Sequence, residues 1–403
     1  MMTRSVAILG GGILGCCLAL FLARRGLSPV IFEEMEDVLC GASRWNEGKI
    51  HLGYLYSADA SLNTSRQVLV GGLAFTPLVE SLVEAPLTGL MTTSDDMFLC
   101  HATSVVPPTL MAERFGKISA LVNTHPDAAR HEARFGALAA RPLSTAELGS
   151  LTHSPSIVAG FAVPERSVQT RAVADLLRAA VMAEGRIRLR RGIRVRGVQV
   201  VSGITAGDRW RVITSEGLEG PFDCVVNALW QGRLPVDQSA GLQLPSDWSH
   251  RYRLAVFVRT RREIWLPSAL IAVGPYGDVK NYNGRDFYLS WYPAGLQCET
   301  KAVDPHWTSP PGTDLYNEVA TSTFDALSRY LPGVEALREN AESVTVGGGW
   351  VYASASGSLA NPAATIHSRA DFGISRRGSY LSVDTGKYST APWLAEMVAG
   401  QIA

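Results

Sequence analysis

The chain has 403 residues, which allows two or three domains at roughly 150 residues each. It is 46% hydrophobic and 18% charged, and its 38 glycines and 21 prolines are scattered, which argues against disorder and a fibrous fold. With 37 basic and 37 acidic side chains, the formal charge is zero. No overall field therefore attracts nucleic acid or an anionic membrane, and we expect neither as a partner.

The first apolar run, residues 6–23, has the length of a membrane span or of the apolar part of a signal peptide. Three consecutive glycines interrupt its centre, and Arg24 and Arg25 follow the run rather than precede it. We therefore predict no integral membrane span. The six cysteines show no CxxC spacing and no zinc-finger spacing to histidine, so we expect reduced thiols, no metal site and a cytoplasmic protein.

The apolar run is better explained as a strand over residues 5–9 and a helix over residues 13–25, joined by a G-x-G-x-x-G turn. Gly10 permits the tight turn, Gly12 lets a pyrophosphate approach the backbone, and Gly15 lets the helix pack closely on the strand. A second strand is predicted over residues 29–32, and Glu33 at its end can accept hydrogen bonds from ribose hydroxyls. The pattern predicts a site for NAD or FAD, formed by Gly10, Gly12, Ile13, Leu14, Gly15, Glu33 and Glu34.

Three later segments carry a family resemblance. Residues 41–56 contain the pattern N-x-G-x-I-H-x-G-x-x-Y, which resembles the segment over the isoalloxazine ring in the D-amino-acid oxidase superfamily of FAD enzymes, with the spacing of L-2-hydroxyglutarate dehydrogenases. Residues 386–390 resemble the G-K-x-T-T stretch of flavin-linked glycerol-3-phosphate dehydrogenases. Residues 223–228 resemble the superfamily strand that re-enters the FAD domain, although Leu229 and Trp230 replace its usual small residue and glycine.

The resemblance implies FAD rather than NAD, because an NAD-dependent dehydrogenase gives no reason for the two flavin-side matches. A thiol–disulfide reductase would need a second glycine fingerprint and a CxxC pair, and aromatic hydroxylases usually carry an Asp-Gly pair that this chain lacks. The matched segments imply further FAD contacts by Ser43, Arg44, Asn46, Gly48, Lys49, Val195, Ala228, Gly386, Lys387, Tyr388, Ser389 and Thr390.

The implied fold class is α/β, with a Rossmann-like FAD-binding domain of the glutathione-reductase type and a second, mostly β-sheet substrate domain of α+β character. We expect the FAD-binding domain to be discontinuous and to comprise residues 1–80, 155–232 and 343–403. The substrate domain would then comprise residues 81–154 and 233–342.

Near the carboxyl end, residues 379–384 have strand character, and a helix is predicted to start near Ser389 or Thr390 with Pro392 in its first turn. The positive end of that helix, with Lys387 beside it, would stabilise the negative charge of a reduced flavin. A solvated surface position is the alternative for Lys387.

The remaining candidates concern the substrate. In the strand predicted over residues 287–292, Tyr288 and Tyr292 share one face, which either meets a substrate or lies half exposed. Tyr54 and Tyr56 either line the pocket or belong to the core. If the substrate is a carboxylate or phosphate it needs a fixed cation, for which Arg369 is the first candidate and Arg44 and Lys49 are alternatives.

The implied reaction moves a hydride from a substrate carbon to flavin N5 while a base takes a proton. His51 is the best-placed histidine for that base, a structural hydrogen bond being its alternative role, and His367 is second. We expect oxidation of a CH–OH carbon in a small polar substrate, with oxygen or another electron acceptor as the second reactant. CH–NH oxidation of an amino acid or amine, and a non-catalytic FAD-binding protein, are the alternatives.

Overall fold

The computed structural model describes residues 4–201, 209–306 and 312–403. In chain order, the strands of the described part are β1 (Val6–Leu9), β2 (Val30–Phe32), β3 (Lys49–Ile50), β4 (Asp96–His101), β5 (Arg141–Pro142), β6 (Ile157–Val163), β7 (Arg166–Ser167), β8 (Arg188–Arg190), β9 (Val195–Val201), β10 (Arg209–Thr214), β11 (Gly217–Phe222), β12 (Cys224–Asn227), β13 (Ser249–Thr260), β14 (Ala269–Ala272), β15 (Gly277–Asn281), β16 (Asp286–Trp291), β17 (Leu296–Thr300), β18 (Ala341–Ala353), β19 (Gly373–Arg377) and β20 (Tyr380–Asp384). The helices are α1 (Ile13–Arg24), α2 (Asn63–Val83), α3 (Pro108–Asn123), α4 (Ala128–Phe135), α5 (Thr145–Leu151), α6 (Thr170–Ala183), α7 (Arg233–Ser239), α8 (Tyr292–Gly295), α9 (Thr313–Ser328), α10 (Gly333–Glu339) and α11 (Ala391–Ile402).

A six-stranded sheet contains the amino-terminal strand at an inner position, in the order β19-β20-β12-β1-β2-β8. All neighbours in it pair in parallel except the edge strand β19. Apolar residues of α1, α2, α6 and α11 pack on one face, and the small sheet β9-β10-β11 packs on the other. This is the predicted Rossmann-like α/β arrangement, and the predicted strand, helix and second strand at the amino terminus are confirmed.

A larger, nine-stranded sheet forms the second part of the molecule. Its order is β17-β13-β16-β15-β14-β4-β6-β5, and β18 pairs with β13 beside this path. One face packs against α3 and α4, and the other against α9 and α10. Alternate residues of β4 show this division, because Phe98 belongs to the first core and Leu99 to the second.

The sheets do not follow the expected domain boundaries near residues 155 and 343. Both β6 and β18, expected in the FAD-binding part, hydrogen bond within the nine-stranded sheet. Glycines let β18 lie close to two neighbours: a Cβ on Gly348 would lie 2.0 Å from the carbonyl oxygen of Arg253 on β13, and one on Gly347 would lie 2.2 Å from the Trp45 ring. The position of β18 depends on these two contacts, and the local pattern of residues 341–353 does not indicate either of them.

The apolar run at residues 6–23 is divided between β1, the glycine turn and α1. Among the helices of the described residues, none combines the length and the hydropathy that a membrane crossing needs. The division fits the interpretation of the run as a strand and a helix of a globular core, since α1 is buried along nearly its whole length.

Candidate active site

A cavity of about 1060 Å³ lies between the six-stranded and nine-stranded sheets and is lined by residues of both. Its size slightly exceeds the roughly 300–1,000 Å³ usual for small-molecule sites, as an elongated cofactor with a substrate beside it requires. Most of the predicted site residues line it: Gly10, Gly12, Ile13, Leu14, Glu33, Glu34, Ser43, Asn46, Lys49, His51, Tyr56, Val195, Ala228, Tyr288, Tyr292, His367, Arg369, Gly386, Lys387 and Tyr388.

The glycine turn at one end of the cavity has the geometry of a dinucleotide site. Gly10 has φ +103°, and a Cβ there would lie 2.7 Å from the carbonyl oxygen of Ala228. A Cβ on Gly15 would lie 2.0 Å from the carbonyl oxygen of Gly10, so only glycine lets α1 pack this closely on β1. Gly15 therefore supports the site from behind rather than lining it. The amino end of α1 meets the cavity, where a pyrophosphate fits its positive dipole.

Glu33 is fixed at the end of β2 beside this turn. Its Oε2 accepts a hydrogen bond from the Gly11 amide at 2.7 Å, and its Oε1 accepts one from the Met35 amide at 2.8 Å. Burial raises the pKa of the carboxyl, although these hydrogen bonds act in the opposite direction. A carboxylate held at this position fits the ribose of an adenosine, as the sequence predicted.

The segment from Gly41 to Tyr56 enters the cavity as a rigid loop. Ser43 accepts a hydrogen bond through its Oγ from the Ile13 amide at 3.0 Å, which ties the loop to α1. Asn46 donates to the Ala42 carbonyl and accepts from the Gly48 amide, both at 2.9 Å. Gly48 has φ +64° and packs against the Val168 carbonyl outside the cavity. These hydrogen bonds thus hold the loop in place beside α1.

His51 is 2% exposed and lines the cavity. Its amide donates to the Oγ of Ser389 at 3.3 Å, and its Nδ1 is buried without a hydrogen-bond partner in the described part of the chain. Burial and the nearby charges of Lys387 and Lys49 lower the pKa of the imidazole well below 6.5. The ring is therefore neutral at pH 7, and one of the two nitrogens of a neutral imidazole is a hydrogen-bond acceptor.

Lys387 lies beside His51, at the start of the carboxyl-terminal helix. The predicted helix start is confirmed: Thr390 is the residue before α11, and Pro392 lies in the first turn. Burial lowers the pKa of Lys387 to about 8, although Glu47 acts in the opposite direction. Its Nζ lies 5.2 Å from the centre of the Tyr56 ring. Ser389 and Thr390 are buried beneath the loop and do not line the cavity.

Two arginines give the cavity further positive charge. Arg369 donates to the carbonyl oxygens of Tyr352 at 2.7 Å and Gly386 at 3.3 Å, and burial lowers its pKa to about 10. Arg253 was not predicted; its guanidinium carbon lies 4.7 Å from the centre of the Tyr292 ring, and its buried Nε has no hydrogen-bond partner among the described residues. Only its alternation in β13 could have indicated it.

Among the carboxyl groups that line the cavity and were not predicted are Asp278 and Glu47. Asp278 accepts a hydrogen bond from Ser290 at 2.5 Å and lies 3.5 Å from Lys280, and burial raises its pKa. Burial alone would raise the pKa of Glu47 too, but Lys387 and Arg253 lower it. Asp278 comes from the larger sheet and Glu47 from the loop, so their proximity depends on the tertiary fold.

Two cationic side chains and one tyrosine differ from their predicted roles. Lys49 reaches the cavity but forms buried ion pairs with Asp96 and, at 3.5 Å, with Glu165, so it is not free to hold an anion. Arg44 pairs with Asp175 at 2.8 Å and does not line the cavity. Tyr54 is a core residue that does not line it either.

His367 lines the cavity and its Nε2 lies 3.0 Å from the carbonyl oxygen of Asn361. That contact favours a structural role, because one ring nitrogen is already engaged. Burial lowers the pKa of His367 as well.

A family model described as DAO, FAD-dependent oxidoreductase, matches residues 5–351 of the chain. The chain belongs to this family. It is therefore an FAD-dependent oxidoreductase, and both the predicted resemblance and the predicted cofactor are confirmed. The glycine turn, the fixed Glu33 and the loop over residues 41–56, all of which contribute to the cavity wall, are compatible with FAD.

Solved structures of DAO-type flavoenzymes have the same fold. They include glycine oxidase from Geobacillus kaustophilus (TM-score 0.69, 16% identity, covering 99% of this chain and 95% of that one). L-proline dehydrogenase from P. horikoshii follows at TM-score 0.66 and 14% identity, covering 100% and 93%. L-α-glycerophosphate oxidase from Mycoplasma pneumoniae has TM-score 0.60 and 15% identity, covering 100% and 95%. No curated protein sequence matches the chain.

Proposed function

We propose that this DAO-family enzyme oxidises a carbon bearing a hydroxyl group in a small anionic substrate. When bound, FAD supplies the acceptor for the hydride, at flavin N5. The observation that carries the proposal is the neutral imidazole of His51, which lines the cavity inside a group of cations. A substrate hydroxyl can transfer its proton to the neutral imidazole, and the surrounding positive charge stabilises the negative charge that develops on the oxygen.

The same cations support an anionic substrate. Arg369 and Arg253 line the cavity from different elements, and the hydrogen bonds of Arg369 go to backbone carbonyl oxygens. A carboxylate or phosphate would give each guanidinium a charged partner in a site of low dielectric constant. In this proposal the cofactor residues hold FAD and Lys387 stabilises its reduced form, while Tyr56, Tyr288 and Tyr292 contact the substrate.

Oxidation of an amine is the second candidate. Glu47 and Asp278 place two carboxyl groups on the cavity wall, and a substrate ammonium could pair with them. The glycine oxidase and L-proline dehydrogenase with the same fold are named for amino acids, whereas the glycerophosphate oxidase is named for an alcohol. We rank the amine second because Lys387, Lys49, Arg369 and Lys280 all act on His51, and their charge opposes an ammonium group there.

The decisive experiment is anaerobic bleaching of the yellow holoenzyme with matched pairs of substrates: 2-hydroxy acids, the corresponding amino acids, phosphorylated alcohols and amines. We expect reduction by hydroxy compounds that carry an acid group. Bleaching by the amino acids or amines alone would overturn the first candidate in favour of the second.

A matched pair of variants tests His51. Its replacement by Asn should slow flavin reduction by about 100-fold or more, the usual contribution of a positioned acid or base. His153→Asn, at an exposed position outside the cavity, serves as the control and should leave the rate unchanged. An unchanged reduction rate in His51→Asn would remove the role as base.

A further inference from the structure

Trp230 has a left-handed backbone conformation, with φ +55°. A bulky L residue rarely adopts that conformation, and such outliers are concentrated at functional sites where the surroundings compensate their cost. The residue begins a short turn, Trp230–Gly232, directly after β12. The preceding Leu229 amide donates to the Oδ1 of Asn227 at 3.2 Å, which fixes the start of the turn.

This turn lies against the glycine turn of the FAD site. A Cβ on Gly10 would lie 2.7 Å from the Ala228 carbonyl oxygen and 3.2 Å from the Cα of Leu229. Because β1 and β12 are parallel neighbours, both turns leave the sheet at the carboxyl ends of its strands, where open parallel sheets bind their ligands. Trp230 lines the cavity at that point.

The indole of Trp230 crosses to the other sheet. Its Nε1 donates to the carbonyl oxygen of Trp350, on β18, at 2.8 Å. Its ring also meets the Tyr352 ring edge-on, at 6.0 Å between centres. Trp350 itself lines the cavity. One side chain thus connects the strand ends of the six-stranded sheet to β18 of the nine-stranded sheet at the wall of the cofactor cavity.

We propose that Trp230 is a clamp that retains bound FAD. A glycine would adopt φ +55° without strain. Compared with glycine, tryptophan at this position adds the indole and its hydrogen bond to Trp350, and these compensate the strained backbone. With the clamp in place, the cavity wall between the glycine turn and β18 is closed, and FAD leaves only after that hydrogen bond breaks. The inference is independent of the substrate and of the role of His51.

The test measures FAD release from the full chain. The holoprotein is diluted, and the rise in FAD fluorescence gives the dissociation rate. Trp230→Gly should release FAD at least about tenfold faster than the natural chain, because release from a closed site is governed by its opening. Trp230→Phe keeps the ring but loses the N–H donor, and its rate should lie between the two. Trp265→Gly, at a side chain that is 83% exposed, is the control and should not change the rate.

Melting temperatures with and without FAD separate a clamp from a purely structural residue. A clamp variant loses part of the increase in melting temperature that added FAD produces. A structural residue would lower both temperatures and leave that increase unchanged, and this result would contradict the inference. If Trp230→Gly fails to fold, Trp230→Phe decides the question: a dissociation rate equal to that of the natural chain overturns the clamp.

Discussion

On the side of the six-stranded sheet, the lining of the cavity includes glycine turns, the start of α1 and a loop fixed by its own hydrogen bonds. On the side of the nine-stranded sheet it is lined by charged and aromatic side chains, among them Arg253, Asp278 and Tyr288. The first wall fits its cofactor by close approach of glycines, so a substitution there should act by steric clash. The second wall depends on charge, so the two walls should respond to different substitutions.

The largest effect on stability is expected in a buried charge cluster on the side of the nine-stranded sheet. Asp96 forms ion pairs with Lys49 and Lys280, and all three side chains are almost fully buried. Asp96→Asn keeps the shape but leaves two buried ammonium groups without that carboxylate. We expect the free energy of unfolding to fall by about 3–5 kcal/mol. Denaturant titration measures the change.

Two further variants make that prediction specific to buried charge. Adding Lys280→Met to Asp96→Asn should recover part of the lost stability, because it removes one of the two buried ammonium groups that have lost Asp96. Glu113→Gln breaks an exposed pair with Lys117 and should change stability little. No recovery in the double variant would mean that Asp96 acts through hydrogen bonds rather than charge.

On the side of the six-stranded sheet, we expect a substitution to weaken FAD binding through steric clash. Gly15→Ala places a Cβ 2.0 Å from the Gly10 carbonyl oxygen and must push α1 away from β1. We expect FAD to bind roughly 100-fold more weakly, or about 2.8 kcal/mol, in a titration of the apoprotein with FAD. Gly116→Ala, on the exposed side of α3 with nothing within 4 Å, is the control and should bind FAD normally. Equal affinities would show that the turn tolerates a wider spacing.

The same contrast explains what the sequence could predict. Gly10, Gly12, Gly15 and Glu33 act through the local backbone and lie close together in the chain, so their pattern indicated both the fold of that wall and its ligand. Arg253 and Asp278 come from β13 and β15, whose alternation indicates a half-buried sheet but not which face meets the cofactor. Their roles depend on strand pairing.

Lys49 shows the same limit within a recognised motif. Its position in the chain was informative, but its carboxylate partners come from β4 and from the residue before β7. The domain boundary expected at residue 343 falls inside β18 for a related reason. The pairing of β18 with β13 places it in the nine-stranded sheet, and the sequence of β18 alone does not indicate that partner.

The next prediction concerns His51 and the pH dependence of the free energy of unfolding. His51 stays neutral in the folded protein because burial and Lys387 lower its pKa below 6.5, whereas in the unfolded chain it takes up a proton near pH 6.5. The unfolded state therefore binds more protons below that pH, and stability falls as the pH falls. The contribution of this one group is at most about 1.4 kcal/mol per pH unit.

Comparison with His51→Asn isolates that contribution, because the other titrating groups are common to both proteins. The difference in the free energy of unfolding between pH 7.5 and pH 5.5 should be smaller in the variant by roughly 1 kcal/mol. Parallel curves for the two proteins would mean that the pKa of His51 is the same in the folded and unfolded states, and the lowered pKa would be refuted.

The smallest effect distinguishes two tyrosines of one turn. Tyr54 and Tyr56 belong to a 3₁₀ turn with about three residues per turn, so their side chains point in different directions. The hydroxyl of Tyr54 bonds to Ser119 at 3.0 Å and to the Leu138 carbonyl at 3.2 Å, away from the cavity, whereas Tyr56 lines it. Tyr54→Phe should cost about 1 kcal/mol of stability and leave KM unchanged. Tyr56→Phe, whose hydroxyl has no hydrogen-bond partner among the described residues, should alter KM with little loss of stability. The reverse result would place Tyr54 rather than Tyr56 at the substrate.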